Sequence, residues 1–153
     1  MGKIKITIED LFNISSAVIY NPDAFKPGAN VEIDSRRVKK GSLFVAIKGE
    51  KYDGHDFILD ALKKGANSVV IDSRKLKKFS FLEIPVVAVN NTIRAYGELA
   101  KIWRNKISAK VISITGSNGK TTVKEMIASL LSEKYNVVKT EANNNNHIGV
   151  PLT

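Results

Sequence analysis

Thr115-Gly116-Ser117-Asn118-Gly119-Lys120-Thr121-Thr122 decides how this chain is read. It ends in the Gly-Lys-Thr of a phosphate loop, whose strict pattern is G-x-x-x-x-G-K-[ST]. Ile114 stands where the first glycine of that pattern belongs, so the loop is a shortened form, T-G-x-x-G-K-T-T. The physical logic survives the shortening. Gly116 and Gly119 let the backbone turn tightly and aim its N–H groups inward. Before the loop, Val111-Ile112-Ser113-Ile114 reads as a buried strand of the parallel-sheet kind. After it, Val123, Met126, Ile127, Leu130 and Leu131 recur at helical spacing, and Asn136-Val137-Val138-Lys139 starts another strand. Strand, loop, helix, strand is half of a doubly wound sheet. The helix N-terminus favours phosphate, Lys120 can reach β- and γ-phosphates, and the Thr121 hydroxyl can ligate Mg²⁺. The alternative is a glycine turn with an incidental lysine; the strand before and the helix after argue against it.

Working outward, a second half begins near Ile84. Pro85-Val86-Val87-Ala88-Val89 reads as a strand, and Asn91-Thr92 as a helix cap. Ile93, Tyr96, Leu99, Ala100 and Trp103 make one helical stripe, with Trp103 as a core anchor. The first half runs from Met1 to about Leu82. Thr7 with Asp10 predicts a helix start, with Ile8, Leu11 and Phe12 on one face. Val31-Glu32-Ile33, Leu43-Phe44-Val45-Ala46-Ile47 and Ser68-Val69-Val70-Ile71 read as strands. Phe57, Ile58, Ala61 and Leu62 sit at helical spacing, stopped by Gly65. The expected class is α/β: a small N-terminal α/β domain over residues 1–83, then residues 84–153 as the first part of a P-loop parallel-sheet domain. No internal repeat or low-complexity linker is evident.

Composition adds bounds. The 153 residues are 43% hydrophobic and 25% charged, ordinary for a globular protein. No apolar run is long enough for a membrane span, and the N-terminus has no signal core. A cytoplasmic protein is the default expectation. The absence of cysteine excludes disulfides and thiolate metal sites. A net charge of +9 suits an anionic partner, although lysines are spread along the chain rather than gathered in a nucleic-acid-binding arm.

The shortened loop resembles that of the Mur ligases and of the related folate polyglutamate ligases. Two further stretches narrow the resemblance to the Mur ligases that add the third residue and the final dipeptide of the peptidoglycan precursor. One is Asp34-Ser35-Arg36, followed by Gly41-Ser42-Leu43-Phe44-Val45-Ala46, Gly49 and Asp53-Gly54-His55-Asp56-Phe57. In such ligases this domain holds the uridine diphosphate end of the substrate. The resemblance implies that Ser35, Arg36, Gly54 and His55 touch it, and arginine matches phosphate oxygens with paired donors. The residues alone also allow a polar strand end, and a turn role for His55. The other stretch, Lys139 to Thr153, is similar to the T-x-G-N-x-N-N-x-I-G-x-P pattern of the branch that adds D-alanyl-D-alanine. Asn143, Asn145, Asn146, Gly149 and Pro151 fall on its positions. The asparagine amides could bind the substrate or simply fill turns. Ala142 stands where the pattern has glycine.

The resemblance covers essentially the whole chain. It implies a reaction in which ATP, with Mg²⁺, phosphorylates the carboxylate of UDP-N-acetylmuramoyl-tripeptide, and the amine of D-alanyl-D-alanine attacks the acyl phosphate. Gly116, Ser117, Asn118, Gly119, Lys120, Thr121 and Thr122 would hold ATP, with Lys120 catalytic and Thr121 on the metal. Glu125, Glu133 and Glu141 are the only carboxylates after the loop, and none is well placed as the acid of a later strand that holds Mg²⁺. The chain is thus expected to be a fragment with little ligase activity, and one prone to self-association through uncovered sheet surface. The rival within the family is the sister ligase adding a diamino acid. A rival of another class is a non-catalytic nucleotide- or nucleic-acid-binding module, for which no basic-aromatic interleaving speaks.

Overall fold

In the computed structural model, residues 5–28 and 30–140 are described. They fall into two compact units that meet between Lys106 and Ile107. In the first unit the elements are α1 (Ile8–Phe12), β1 (Val18–Tyr20), β2 (Val31–Glu32), β3 (Leu43–Val45), α2 (Ile58–Lys63), β4 (Ser68–Asp72), α3 (Leu76–Phe79), β5 (Val86–Val89) and α4 (Thr92–Asn105). The second unit contains α5 (Lys120–Ser132).

The first unit is an α/β sheet with strand order β1-β5-β4-β3-β2. Strands β2 to β5 run parallel, and β1 lies antiparallel on β5, with Ile19 opposite Val87. Parallel strands are covered on both faces, which explains their near-continuous apolar runs. On one face Phe44, Ala46, Val69, Ile71, Val86 and Ala88 join Ile58 and Ala61 of α2 and Phe79 of α3 in one core cluster. The alternate residues Val45, Val70, Val87 and Val89 are also buried, as are Ala95, Tyr96 and Leu99 of α4, a helix that packs on β4.

Local chemistry accounts for the element ends. Thr7 and Asp10 form a reciprocal capping box at α1. The Asn91 side chain accepts the Arg94 N–H at the start of α4. Gly65, at φ +102°, turns the chain out of α2 against the Lys40 backbone, a conformation that suits glycine.

Three expectations are corrected. The boundary near residue 83 is not where the units divide: β5 pairs with β4 from Val69↔Val86 to Asp72↔Val89, so β5 and α4 complete the first unit. Val111–Ile114 and Asn136–Lys139 are not strands here. A strand needs a ladder partner, and among the described residues neither segment has one; Val111 and Ile112 are exposed. The helix between them is present, but Val123, Met126 and Leu130 of its apolar stripe are exposed, and only Ala128 is buried.

Candidate functional site

Residues 115–119 form an exposed loop leading directly into α5. Gly116 sits at φ +145° and Gly119 at φ +75°, both disfavoured for residues with a Cβ. Gly119 is the N-cap of α5 and has no side chain to satisfy the first-turn N–H groups; no acidic residue lies in that turn. These donors and the helix dipole make an anion-binding end. The Lys120 ammonium lies back over the loop, 2.6 Å from the Gly116 carbonyl oxygen. The hydroxyl-bearing Thr121 and Thr122 are exposed in the first turn. Ser117, Asn118 and the two glycines are likewise open to solvent. The loop thus brings Gly116, Gly119 and Lys120 together at the start of α5.

Asp34-Ser35-Arg36 forms a turn just beyond β2. The Asp34 carboxylate accepts the Arg36 backbone N–H at 2.9 Å, Nε–H at 3.0 Å and an Nη2–H at 2.7 Å. The Arg36 hydrogen bond holds the Asp34 carboxyl down at about 2, so the pair stays ionised. Arg36 is 84% exposed and keeps its other N–H groups for a ligand. Ser35, at 9% exposure, presents far less.

The His55 ring lies in the interior, and the half-buried Gly54 packs against the exit of β3. His55 is 2% exposed. Its Nδ1–H donates to Asp53 Oδ1 at 2.6 Å, and its Nε2 accepts the Asp72 backbone N–H at 3.0 Å. Both ring nitrogens are thus committed, and the second bond assigns the Nδ1–H tautomer. The ring pins the 3₁₀ turn Gly54–Phe57 to the end of β4. Asp53 also receives the Lys75 ammonium. Burial alone would raise the Asp53 carboxyl, but Lys75 and the two His55 N–H groups pull it well below the carboxylate range. Asp72 and Lys75 went unmarked in the sequence because they meet His55 and Asp53 only through the fold. The aspartate two residues before His55 was the available signal.

Gly54 approaches the β3 exit closely, and a Cβ there would lie 2.7 Å from both the N and the O of Ile47. Gly54→Ala is expected to lower stability by roughly 1–3 kcal/mol, because backbone must shift to admit the methyl group. Urea unfolding should show a reduced midpoint. Gly49→Ala, whose Cβ would sit 3.5 Å from the Tyr52 oxygen, should move it far less.

Asn143, Asn145 and Asn146 lie outside the described residues. Among the described residues no cluster of histidine and carboxylates could hold a metal ion, and no helix is long and apolar enough to cross a membrane.

Residues 29–118 match the family model described as Mur ligase family, catalytic domain, and residues 114–153 match that of the Mur ligase middle domain. The chain belongs to the Mur ligase family. Among Mur ligases, it is 40% identical over 150 residues to the UDP-N-acetylmuramoyl-tripeptide--D-alanyl-D-alanine ligase of Escherichia coli, covering 98% of this chain and 32% of the relative. It is 37% identical to the ligase of the same name from Bacillus subtilis, with 98% and 33% covered. The fold resembles MurF from Acinetobacter baumannii, with TM-score 0.82 and 30% identity over 99% of this chain and 33% of that one. It also resembles the MurF ligase of Thermotoga maritima in complex with ADP, with TM-score 0.70 and 35% identity over 80% and 28% of the two chains. This chain spans about a third of the length of these Mur ligases.

Proposed function

We propose that this chain supplies the nucleotide-holding parts of an ATP-dependent amide ligase that joins D-alanyl-D-alanine to UDP-N-acetylmuramoyl-tripeptide. The observation that carries the reading is the phosphate cradle of residues 116–122, with Lys120 folded over it, in a chain whose Mur ligase relatives bear that activity in their names. An ADP-bound relative of the same fold supports the nucleotide. A cytoplasmic location, where ATP is held, goes with this reading.

The work of these residues is positioning and charge neutralisation. Backbone N–H groups around Gly116 to Gly119 and the first turn of α5 hold phosphate oxygens. Lys120 moves its ammonium from the Gly116 carbonyl onto the terminal phosphates. Arg36, oriented by Asp34, engages phosphate of the uridine diphosphate end, with Ser35 beside it. Thr121, whose hydroxyl is exposed in the first helical turn, would be the residue that holds Mg²⁺, and the ion would supply neutralisation of phosphate charge there. Asn143, Asn145 and Asn146 are assigned to the peptide or sugar part of the same substrate.

A chimera tests the reading. This chain, substituted for the matching third of the Escherichia coli relative, should restore ATP-dependent addition of D-alanyl-D-alanine to the tripeptide substrate. Addition of a diamino acid to the dipeptide substrate instead would assign it to the sister ligase. A folded chimera with neither activity would refute both.

A further inference from the structure

The tetrapeptide Ile-Asp-Ser-Arg occurs twice, as Ile33-Asp34-Ser35-Arg36 and as Ile71-Asp72-Ser73-Arg74. The copies adopt one geometry. Asp72 accepts the Arg74 backbone N–H and Nε–H at 2.9 Å each, and an Nη2–H at 2.5 Å, as Asp34 does for Arg36. The Arg74 hydrogen bond holds Asp72 at about 2, matching Asp34. Arg74 is 83% exposed and Arg36 84%.

The fold then brings the copies to one edge. β2 and β4 both run parallel to β3, with Val31, Leu43 and Ser68 level in register, so both turns leave the sheet at the same, C-terminal end. That end is where open α/β sheets bind ligands. Only β3 separates them, a gap of about 10 Å at ordinary strand spacing. The loop leaving β3 reaches the Arg74 side, where Asp53 binds Lys75, the neighbour of Arg74. Lys48 and Lys51 on this loop are exposed and add positive charge; Glu50 opposes it.

We propose that Arg74, braced by Asp72, is a second phosphate-gripping arginine of the uridine diphosphate site, facing Arg36 across the Lys48–Asp53 loop. The inference rests on the assignment of that site under Proposed function. Bracing fixes each guanidinium plane while leaving donors free, so a diphosphate can be held by one arginine at each end. A bare turn would need Asp72 and the Arg74 backbone N–H, but not the guanidinium.

Calorimetric titration of this chain with uridine diphosphate and with uridine separates the possibilities. Arg74→Gln keeps the Asp72 turn bond and should weaken uridine diphosphate binding by about tenfold or more, with uridine binding unchanged. Arg74→Lys should recover part of the loss. Comparing the two ligands guards against misfolding, which lowers both. If Arg36→Gln loses diphosphate affinity while Arg74→Gln retains it, or if Arg74→Gln weakens both ligands equally, the inference is overturned and the site assignment stands. If the unaltered chain binds no uridine diphosphate, the site assignment falls and takes the inference with it.

Discussion

Replacing His55 by leucine is expected to cost about 3 kcal/mol of stability. The leucine fills a similar volume, so packing is largely kept. What is lost is polar. The Asp72 N–H loses its acceptor, and the Asp53 carboxylate loses the ring N–H that binds it at 2.6 Å. A donor left unsatisfied at a buried site costs about 1–3 kcal/mol, and a disturbed carboxylate adds to that. Asp53 keeps the Lys75 ammonium and the residue-55 backbone N–H, which limits the damage. Urea unfolding, read at the midpoint with an unchanged slope, measures the effect. A surface ligand role for His55 would give the opposite pattern, with stability unchanged and substrate affinity reduced.

Replacing Lys120 by alanine is expected to weaken ADP or ATP binding by roughly 10- to 100-fold. The ammonium makes charge-assisted hydrogen bonds to phosphate, each worth about 1.5–3 kcal/mol. Its present partner, the Gly116 carbonyl, is exposed, so water replaces the lost bond and the fold is little affected. Adenosine, lacking phosphate, should bind both proteins alike. Calorimetry with ADP and adenosine reads the contrast.

Much of the first unit was legible because one-dimensional signals and tertiary demands coincide there. The apolar runs at Leu43, Ser68 and Val86 are strands buried on both faces, and the stripe through Tyr96 and Leu99 is a helix face against the sheet. β1 escaped notice: it is a three-residue edge strand with Val18 55% exposed, and its pairing with β5 is a long-range fact. The boundary was misplaced for a related reason. β5 and α4 share their strand-then-helix pattern with the Val111–Ile114 run and α5, and only pairing with β4 assigns them to the first unit. Val111 to Ile114 has the composition of a buried strand, but it has no ladder partner among the described residues.

The candidate site was legible where its geometry is local. Gly116, Gly119 and Lys120 carry their geometry in the sequence, as does the short-range Asp34–Arg36 brace. His55 was not, since its second partner lies on a different strand. The recurrence at Asp72 to Arg74 is too short, at four residues, to show as a period, and only the shared sheet edge gives it meaning.

On the proposed function, this chain holds separate phosphate sites for two nucleotides. Amide chemical shifts of the isotope-labelled chain, titrated with ATP and with uridine diphosphate, test it most directly. ATP with Mg²⁺ should move Gly116, Gly119, Lys120 and Thr121 and leave Arg36 in place, while uridine diphosphate should move Ser35 and Arg36 and leave the glycine loop in place. Both nucleotides moving the same residues, or neither moving the glycine loop, would contradict the account.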